Sequence, residues 1–118
     1  MKIIPCIVGL GYVGLPIALA LSKKFLTYCF DINKERIKNL KKKIDINNEF
    51  NKEKFKKLKK LNFTNKVLDI QRCNFFILCV PTPIHKNKTP DLKNLTDAIK
   101  IVSKVLKKND IIFIDQIK

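Results

Sequence analysis

Glycine is scarce in this sequence, and its distribution is uneven. The 118 residues include three glycines, Gly9, Gly11 and Gly14, and all of them lie in the segment IVGLGYVGLP (Ile7 to Pro16). Glycine permits backbone conformations and close approaches that a side chain would prevent. The clustering therefore indicates that one short segment needs a bare backbone.

Arginine is scarce as well, although the chain is strongly basic. The formal net charge is +15, yet Arg36 and Arg72 are the two arginines and lysine carries the rest of the positive charge. A charge of this size raises nucleic acid or an anionic membrane surface as partners. Arginine, however, is the residue that recognises bases and phosphates in a bidentate manner. The composition disfavours a basic nucleic-acid-binding module, which stays open here as an alternative function.

The four cysteines lack the spacing of a metal site. Cys6, Cys29, Cys73 and Cys79 form no CxxC pair and show no metal-like spacing with His85, the single histidine. Each lies in or beside an apolar run, where cysteine behaves as a small hydrophobic residue. We expect four reduced, buried thiols, no metal site and a cytoplasmic location.

Charge is absent from a long N-terminal stretch. Residues 3–22 contain no charged side chain and have lysines on both sides. Such a stretch is compatible with a signal peptide or a short membrane anchor. Two prolines and three glycines disfavour one continuous apolar helix, although membrane helices tolerate both residue types. A membrane-anchored fragment is therefore a second alternative function, and features further along the chain must decide.

Short apolar runs and amphipathic stretches alternate along the chain. Runs of β-branched and aromatic residues predict strands, and apolar residues at helical spacing predict helices. The predicted strands are 3–8, 26–31, 61–64, 74–80 and 111–114. The predicted helices are 12–25, one around Ile37 to Ile44, one around Phe55 to Leu61, and 91–108 with Leu95, Ile99, Val102 and Leu106 on its apolar face. This alternation predicts an α/β fold, a Rossmann-type doubly wound parallel sheet in a single domain.

The three glycines have the spacing GxGxxG, between a predicted strand and a predicted helix. In that context Gly9 permits a tight turn, Gly11 lets backbone N–H groups approach a pyrophosphate, and Gly14 lets the helix pack closely. The N-terminus of the helix adds partial positive charge toward the phosphates. The segment predicts a dinucleotide-binding loop.

The same motif requires an acidic residue at the end of the second strand, and Asp31 stands there, 22 positions after Gly9. Its carboxylate would accept hydrogen bonds from the adenosine ribose and repel a 2′-phosphate, which favours NAD over NADP. A turn residue at a strand end is the simpler alternative for Asp31. A membrane anchor has no use for this register, so we interpret residues 1–118 as a dinucleotide-binding domain.

Three segments carry a resemblance to a known family: GLGYVGLP (Gly9 to Pro16), DINKERI (Asp31 to Ile37) and VPTPIHKNKTPDL (Val80 to Leu92). They resemble the N-terminal NAD-binding domain of the UDP-glucose/GDP-mannose dehydrogenase family, most closely the branch that oxidises UDP-N-acetylhexosamines for surface polysaccharides. The resemblance implies oxidation of the sugar C6 hydroxyl to a carboxylate with two NAD and a cysteine thioester. It also implies a UDP-sugar substrate and a homo-oligomer, with neither nucleic acid nor membrane as partner.

The resemblance further implies which residues contact NAD. Arg36 would pack by the adenine ribose, its alternative being an ordinary exposed helix charge. Thr82 would lie along the cofactor, its alternative being a loop threonine between prolines. The full implied set is Gly9, Leu10, Gly11, Tyr12, Val13, Gly14, Asp31, Arg36, Val80, Pro81 and Thr82.

The sequence also departs from the family pattern. His85 stands where relatives carry Asp, Lys43 and Asn109 where they often carry Gly, and Ile117 where they carry a cofactor-contacting Thr. The family's catalytic cysteine, its helpers and the sugar-binding half correspond to nothing before Lys118. We therefore expect a truncated or frameshifted member with no catalytic residues, inactive alone, and with an exposed, aggregation-prone sheet edge at Ile111 to Ile114.

Overall fold

Five four-residue strands form one parallel sheet in the computed structural model, which describes residues 2–42 and 60–115. The strands are β1 (Pro5–Val8), β2 (Thr27–Phe30), β3 (Leu61–Thr64), β4 (Phe75–Leu78) and β5 (Ile111–Ile114). Their order across the sheet is β3-β2-β1-β4-β5. The chain thus moves outward from β1 in one direction and then crosses back to β4 on the other side. The predicted Rossmann-type, doubly wound sheet is confirmed.

The helices within these described residues are α1 (Gly14–Leu21), α2 (Lys34–Lys41) and α3 (Lys93–Ser103), with a 3-10 turn at Val67–Ile70. Pro16 lies in the first turn of α1, where the missing N–H costs no helical hydrogen bond. The predicted helix around Phe55 to Leu61 lies mostly outside the described residues, and its end at Leu61 is wrong, because Leu61 begins β3. The extension of α2 toward Ile44 and the departures at Lys43 and Ile117 also lie outside the described residues.

The last helix is shorter than the predicted range 91–108. Beyond Ser103 the backbone closes i to i+3 hydrogen bonds, from Lys104 N to Ile101 O and from Val105 N to Val102 O. Lys107 then leaves the helical path, and its Nζ donates to the carbonyl oxygens of Gln71 (2.6 Å) and Cys73 (3.0 Å). These tertiary contacts end the helix earlier than its apolar spacing predicts.

The predicted apolar face of α3 is wrong in part as well. Val102 is buried as predicted, but Ile99 and Leu106 remain 40% and 43% exposed, and Ala98 takes the central buried position instead. Leu95 packs partly against the same core. The inward stripe therefore passes through Leu95, Ala98 and Val102, at spacings of three and four residues.

Two apolar clusters, one on each face of the sheet, form the core. Successive residues of a strand point to opposite faces, so β1 contributes Ile7 to one cluster and Cys6 and Val8 to the other. The first cluster joins the strands to α1 and α2; the second joins them to α3 and the 3-10 turn. All four cysteines are buried with free thiols within this core, which confirms their predicted burial.

Residues 3–22, the long stretch without charge, form β1, a turn and α1. In the part of the chain that the structure describes, no helix combines the length and the apolar character needed to cross a membrane.

Within residues 2–42 and 60–115, the two non-glycine residues with positive φ lie in surface turns, away from the glycine segment. Lys88 has φ 65° and Asn109 has φ 73°. Lys88 belongs to the turn that follows His85, whose backbone N–H donates to Thr89 O at 2.8 Å. His85 is exposed there, as the sequence predicts.

Candidate functional site

A cleft of about 500 Å³ opens at the carboxyl ends of β1, β2 and β4. It lies where the chain order reverses across the sheet, which is where doubly wound sheets bind ligands. The cleft brings together most of the residues that the sequence predicts for a site: Gly9, Leu10, Gly11, Tyr12, Val13, Asp31, Arg36, Val80 and Pro81. Gly14 and Thr82 are not part of its lining.

Gly9 makes the turn that leads out of β1. Its φ is 100°, a conformation that residues with side chains rarely adopt. A Cβ here would also lie 2.7 Å from the carbonyl oxygen of Cys79 and 3.2 Å from Cγ1 of Val80. Both the conformation and the packing against the segment after β4 therefore require glycine.

Gly14 begins α1 in close contact with the same turn. A Cβ on Gly14 would overlap the carbonyl oxygen of Gly9 and lie 3.3 Å from Cβ of Cys79. The close packing that the motif predicts is thus directed mainly at the loop itself, and it holds the first turn of the helix against Gly9.

Gly11 differs from the other two glycines. A Cβ at this position would meet no heavy atom within 4 Å, and Gly11 lines the cleft. The protein's own packing therefore does not require glycine there. A bare backbone facing a cleft is what a ligand in close contact with the loop would require.

The N-terminus of α1 starts beside this loop. Val13 occupies the N-cap position and makes no side-chain capping bond, and the first turn contains no acidic residue. The helix therefore presents the positive end of its dipole to the cleft without a carboxylate of its own to neutralise it.

Asp31 follows β2 and reaches back to the glycine loop. Its Oδ2 accepts the backbone N–H of Leu10 at 2.9 Å, and its Oδ1 accepts the backbone N–H of Asn33 at 2.9 Å. A carboxylate oxygen has more than one acceptor site, so each oxygen retains capacity for a further donor. Asp31 is therefore more than a strand-end turn residue, since it joins the glycine loop to the end of β2.

Arg36 is buried, with 6% of its surface exposed. Its Nε donates to the carbonyl oxygen of Leu10 at 2.9 Å. Asn33 caps α2 by accepting the backbone N–H of Arg36 at 3.0 Å, which fixes the helix turn that carries this side chain. The alternative of an ordinary exposed helix charge is wrong; the predicted contact with an adenine ribose stays a prediction.

The opposite wall of the cleft comes from α3, which the sequence reasoning missed. Asn94, Asp97, Ala98 and Ile101 line it, and Asn94 Nδ2 donates to Pro81 O at 3.1 Å. Ile32 and Asn33 also line the cleft without having been predicted. The signal that could have found the wall is topological, because a helix that follows β4 begins near the carboxyl ends of the strands.

The thiols of this domain are poorly suited to nucleophilic chemistry. Burial raises the pKa of Cys6 and of Cys29 well above the ordinary thiol value, and a hydrogen bond with the Cys73 thiol adds to the effect on Cys6. Burial, followed by the negative charge of Asp115, raises the pKa of Cys79 to about 11. In residues 2–42 and 60–115 no group of three metal-ligating side chains is present either.

Known proteins are similar in sequence to this chain over nearly its whole length. A sequence model of the UDP-glucose/GDP-mannose dehydrogenase family, NAD binding domain, matches residues 1–116. The UDP-N-acetyl-D-glucosamine 6-dehydrogenase of Pseudomonas aeruginosa is 46% identical over 106 residues, which cover 90% of this chain and 25% of that protein. Protein CapL of Staphylococcus aureus is 42% identical over 106 residues, with the same coverage. The chain thus spans about a quarter of the length of these curated relatives.

Solved structures share the fold. UDP-D-ManNAc dehydrogenase from Pyrococcus horikoshii superposes with a TM-score of 0.88 at 30% identity, over 97% of this chain and 28% of that one. The UDP-N-acetyl-mannosamine dehydrogenase Cap5O from Staphylococcus aureus gives a TM-score of 0.85 at 26% identity, over 96% and 28%. None of these matches supports the alternative of a nucleic-acid-binding module.

Proposed function

Because the chain belongs to the UDP-glucose/GDP-mannose dehydrogenase family, whose NAD-binding domain it spans, we propose that the cleft beside the glycine loop holds NAD for the oxidation of a UDP-sugar. A UDP-N-acetylhexosamine is the substrate that the names of the relatives favour. When bound, the nicotinamide supplies the hydride acceptor. The residues described here bind and orient the cofactor.

Gly11 carries this proposal. It combines an open side-chain direction with a place in the cleft lining, directly before the uncapped N-terminus of α1. A pyrophosphate fits such a position, because it needs close backbone approach and favours the positive end of a helix. Tyr12 and Val13 follow in the same loop and would lie beside it.

Asp31 would select NAD over NADP. Its two oxygens are held by backbone N–H groups and retain acceptor capacity for the ribose hydroxyls. A 2′-phosphate would place a second negative charge against this carboxylate. The adenine would then lie between the two walls of the cleft, with Val80 on one side and with Ala98 and Ile101 of α3 on the other.

The remaining parts of the reaction concern the whole enzyme. We propose that the thioester-forming cysteine is none of the four in this chain, since all four are buried and the pKa is raised for three of them. Free, buried thiols favour a cytoplasmic location. A homo-oligomer and a contact of Thr82 with the cofactor are carried over from the family in the same way.

Calorimetric titration of the chain with NAD and with NADP tests the proposal. We expect tighter binding of NAD, and we expect Asp31→Ala to narrow the preference by at least ~1 kcal/mol, about fivefold, as for a charge-assisted hydrogen bond. Glu35→Gln is the matched control, because Glu35 is an exposed acidic residue on α2 outside the cleft lining. Equal affinity of the unmutated chain for both cofactors would contradict the assignment of Asp31.

Gly11→Val is the second arm of the same titrations. The Cβ of the valine would meet no heavy atom within 4 Å in the folded protein, so the thermal unfolding midpoint should stay within a few degrees while NAD binding is lost. Normal NAD binding by this variant would show that the glycine loop is not the phosphate site.

A further inference from the structure

The backbone of Leu10 is held from both sides by side chains that are distant in sequence. Its N–H donates to Asp31 Oδ2 and its carbonyl oxygen accepts from Arg36 Nε, each at 2.9 Å. The ring closes through Asn33, whose N–H donates to Asp31 Oδ1 and whose Oδ1 accepts the N–H of Arg36. Two hydrogen bonds thus fix Leu10 of the glycine loop, and two more link their side-chain partners through Asn33 at the start of α2.

The burial of Arg36 needs a reason. Removing a guanidinium from water is costly unless hydrogen bonds replace those to water. The other basic side chains of α2, Lys34, Lys38 and Lys41, are exposed on the solvent side. Among the basic side chains of α2, Arg36 alone turns inward, and its Nε bond to Leu10 O is directed at the loop.

Peptide geometry carries this contact one step further. A trans peptide is planar, and its carbonyl oxygen and the following N–H point in opposite directions. The peptide that joins Leu10 to Gly11 has its oxygen fixed toward Arg36. The N–H of Gly11 is therefore aimed away from Arg36, and Gly11 lines the cleft.

We propose that Arg36 is a positioning residue: by holding the Leu10 carbonyl, it sets the direction of the Gly11 N–H toward the pyrophosphate of the cofactor. This inference rests on the proposed NAD site and adds the way in which one of its backbone donors is oriented. It differs from a contact between the Arg36 charge and the adenine ribose, because the relevant group is the Nε donor and the partner is the protein backbone.

Three substitutions separate the donor from the charge. In glutamine, Nε2 stands at the same number of bonds from Cα as Nε of arginine, so Arg36→Gln keeps a donor at that position without the charge. In Arg36→Lys a carbon occupies that position and the charge remains. Arg36→Met keeps a side chain of similar length and removes both.

We expect Arg36→Gln to bind NAD within a few fold of the unmutated chain, and Arg36→Lys and Arg36→Met to bind about tenfold more weakly, since the bond involves a charged donor. NMR of the chain without added nucleotide supplies the second readout. In Arg36→Lys and Arg36→Met the Gly11 amide resonance should shift and the Leu10 amide proton should exchange faster. In Arg36→Gln both quantities should stay near those of the unmutated chain. The thermal midpoint of each variant controls for folding.

The opposite order of NAD affinities would overturn the inference. If Arg36→Lys bound NAD like the unmutated chain and Arg36→Gln bound it as weakly as Arg36→Met, the effect would lie in the charge. Equal NAD binding by all three variants would overturn it as well. Should Arg36→Met fail to fold, the comparison of Arg36→Gln with Arg36→Lys still decides between the donor and the charge. If the unmutated chain bound no NAD, the proposed function would fail. The positioning role is tested separately: an unchanged Gly11 amide resonance and an unchanged Leu10 amide exchange rate in Arg36→Lys would overturn it.

Discussion

Strands β4 and β5 are neighbours with nearly the same composition and opposite environments. FFIL (Phe75–Leu78) pairs residue for residue with IIFI (Ile111–Ile114). Phe76 and Leu78 of β4 are fully buried, whereas the four residues of β5 are between 37% and 55% exposed. Equal apolarity therefore does not produce equal burial.

The difference arises from what covers each strand. β4 lies between β1 and β5, with α1 on one face and α3 on the other, and its residues belong to both core clusters. β5 is an edge strand and joins neither cluster. An apolar strand needs layers on both faces to be buried. The cleft is formed at the ends of β1, β2 and β4, so the candidate site stands on the covered part of the sheet.

The largest expected effect is on the free energy of unfolding. Phe76→Ala should destabilise the chain by about 3–5 kcal/mol, because it removes a fully buried aromatic ring from the core. Phe113→Ala, at 54% exposure in β5, should cost less than about 1 kcal/mol. Urea denaturation of both variants measures the pair. Similar losses would mean that β5 is covered in solution, which would break the comparison.

The next effect concerns association at the exposed edge. An unpaired apolar edge strand invites pairing with another chain, and a lysine there opposes it. Phe113→Lys should therefore lower the self-associated fraction in sedimentation velocity at a given concentration, without loss of stability. Asn62→Lys adds the same charge to the opposite edge strand, where Asn62 is also exposed, and should leave association unchanged. Equal effects of the two lysines would point to net charge in place of the β5 edge.

The smallest effect lies just past the two strands, at Cys79 and Asp115. Burial is the larger cause and Asp115 the smaller cause of the raised Cys79 pKa, about 11. Asp115→Asn should lower that pKa while leaving it above the ordinary thiol value. Iodoacetamide labelling of Cys79 as a function of pH, followed by mass spectrometry, measures the shift. An unchanged or higher pKa in Asp115→Asn would contradict the assigned influence of this carboxylate.

The same raised pKa sets the direction of a pH effect on folding. The folded state holds the Cys79 proton more tightly than the unfolded state, so this contribution is fully present below the unfolded pKa of about 9 and is lost as pH rises toward about 11.

The strands, their parallel arrangement and the glycine loop with Asp31 could be predicted from the sequence, because local apolar runs and short-range spacing determine them. The end of α3 could not, since it depends on Lys107 binding carbonyl oxygens of Gln71 and Cys73, more than thirty positions away. The burial of Arg36 escaped prediction for a similar reason. A charged residue on a lysine-rich helix is usually exposed, and only the fold brings Leu10 to it.

The left-handed backbone of Lys88 and Asn109 bears on how relatives of this chain are recognised in genomes. Both positions favour glycine, yet a lysine and an asparagine occupy them, at a strain of roughly 1–2 kcal/mol for a residue such as lysine. Surface turns thus accept residues other than glycine. Gly9 cannot be replaced in this way, because a Cβ there would lie 2.7 Å from the backbone carbonyl oxygen of Cys79. A missing glycine in an outer turn is therefore weak evidence against membership, whereas a missing Gly9 or Gly14 is strong evidence that the loop no longer forms.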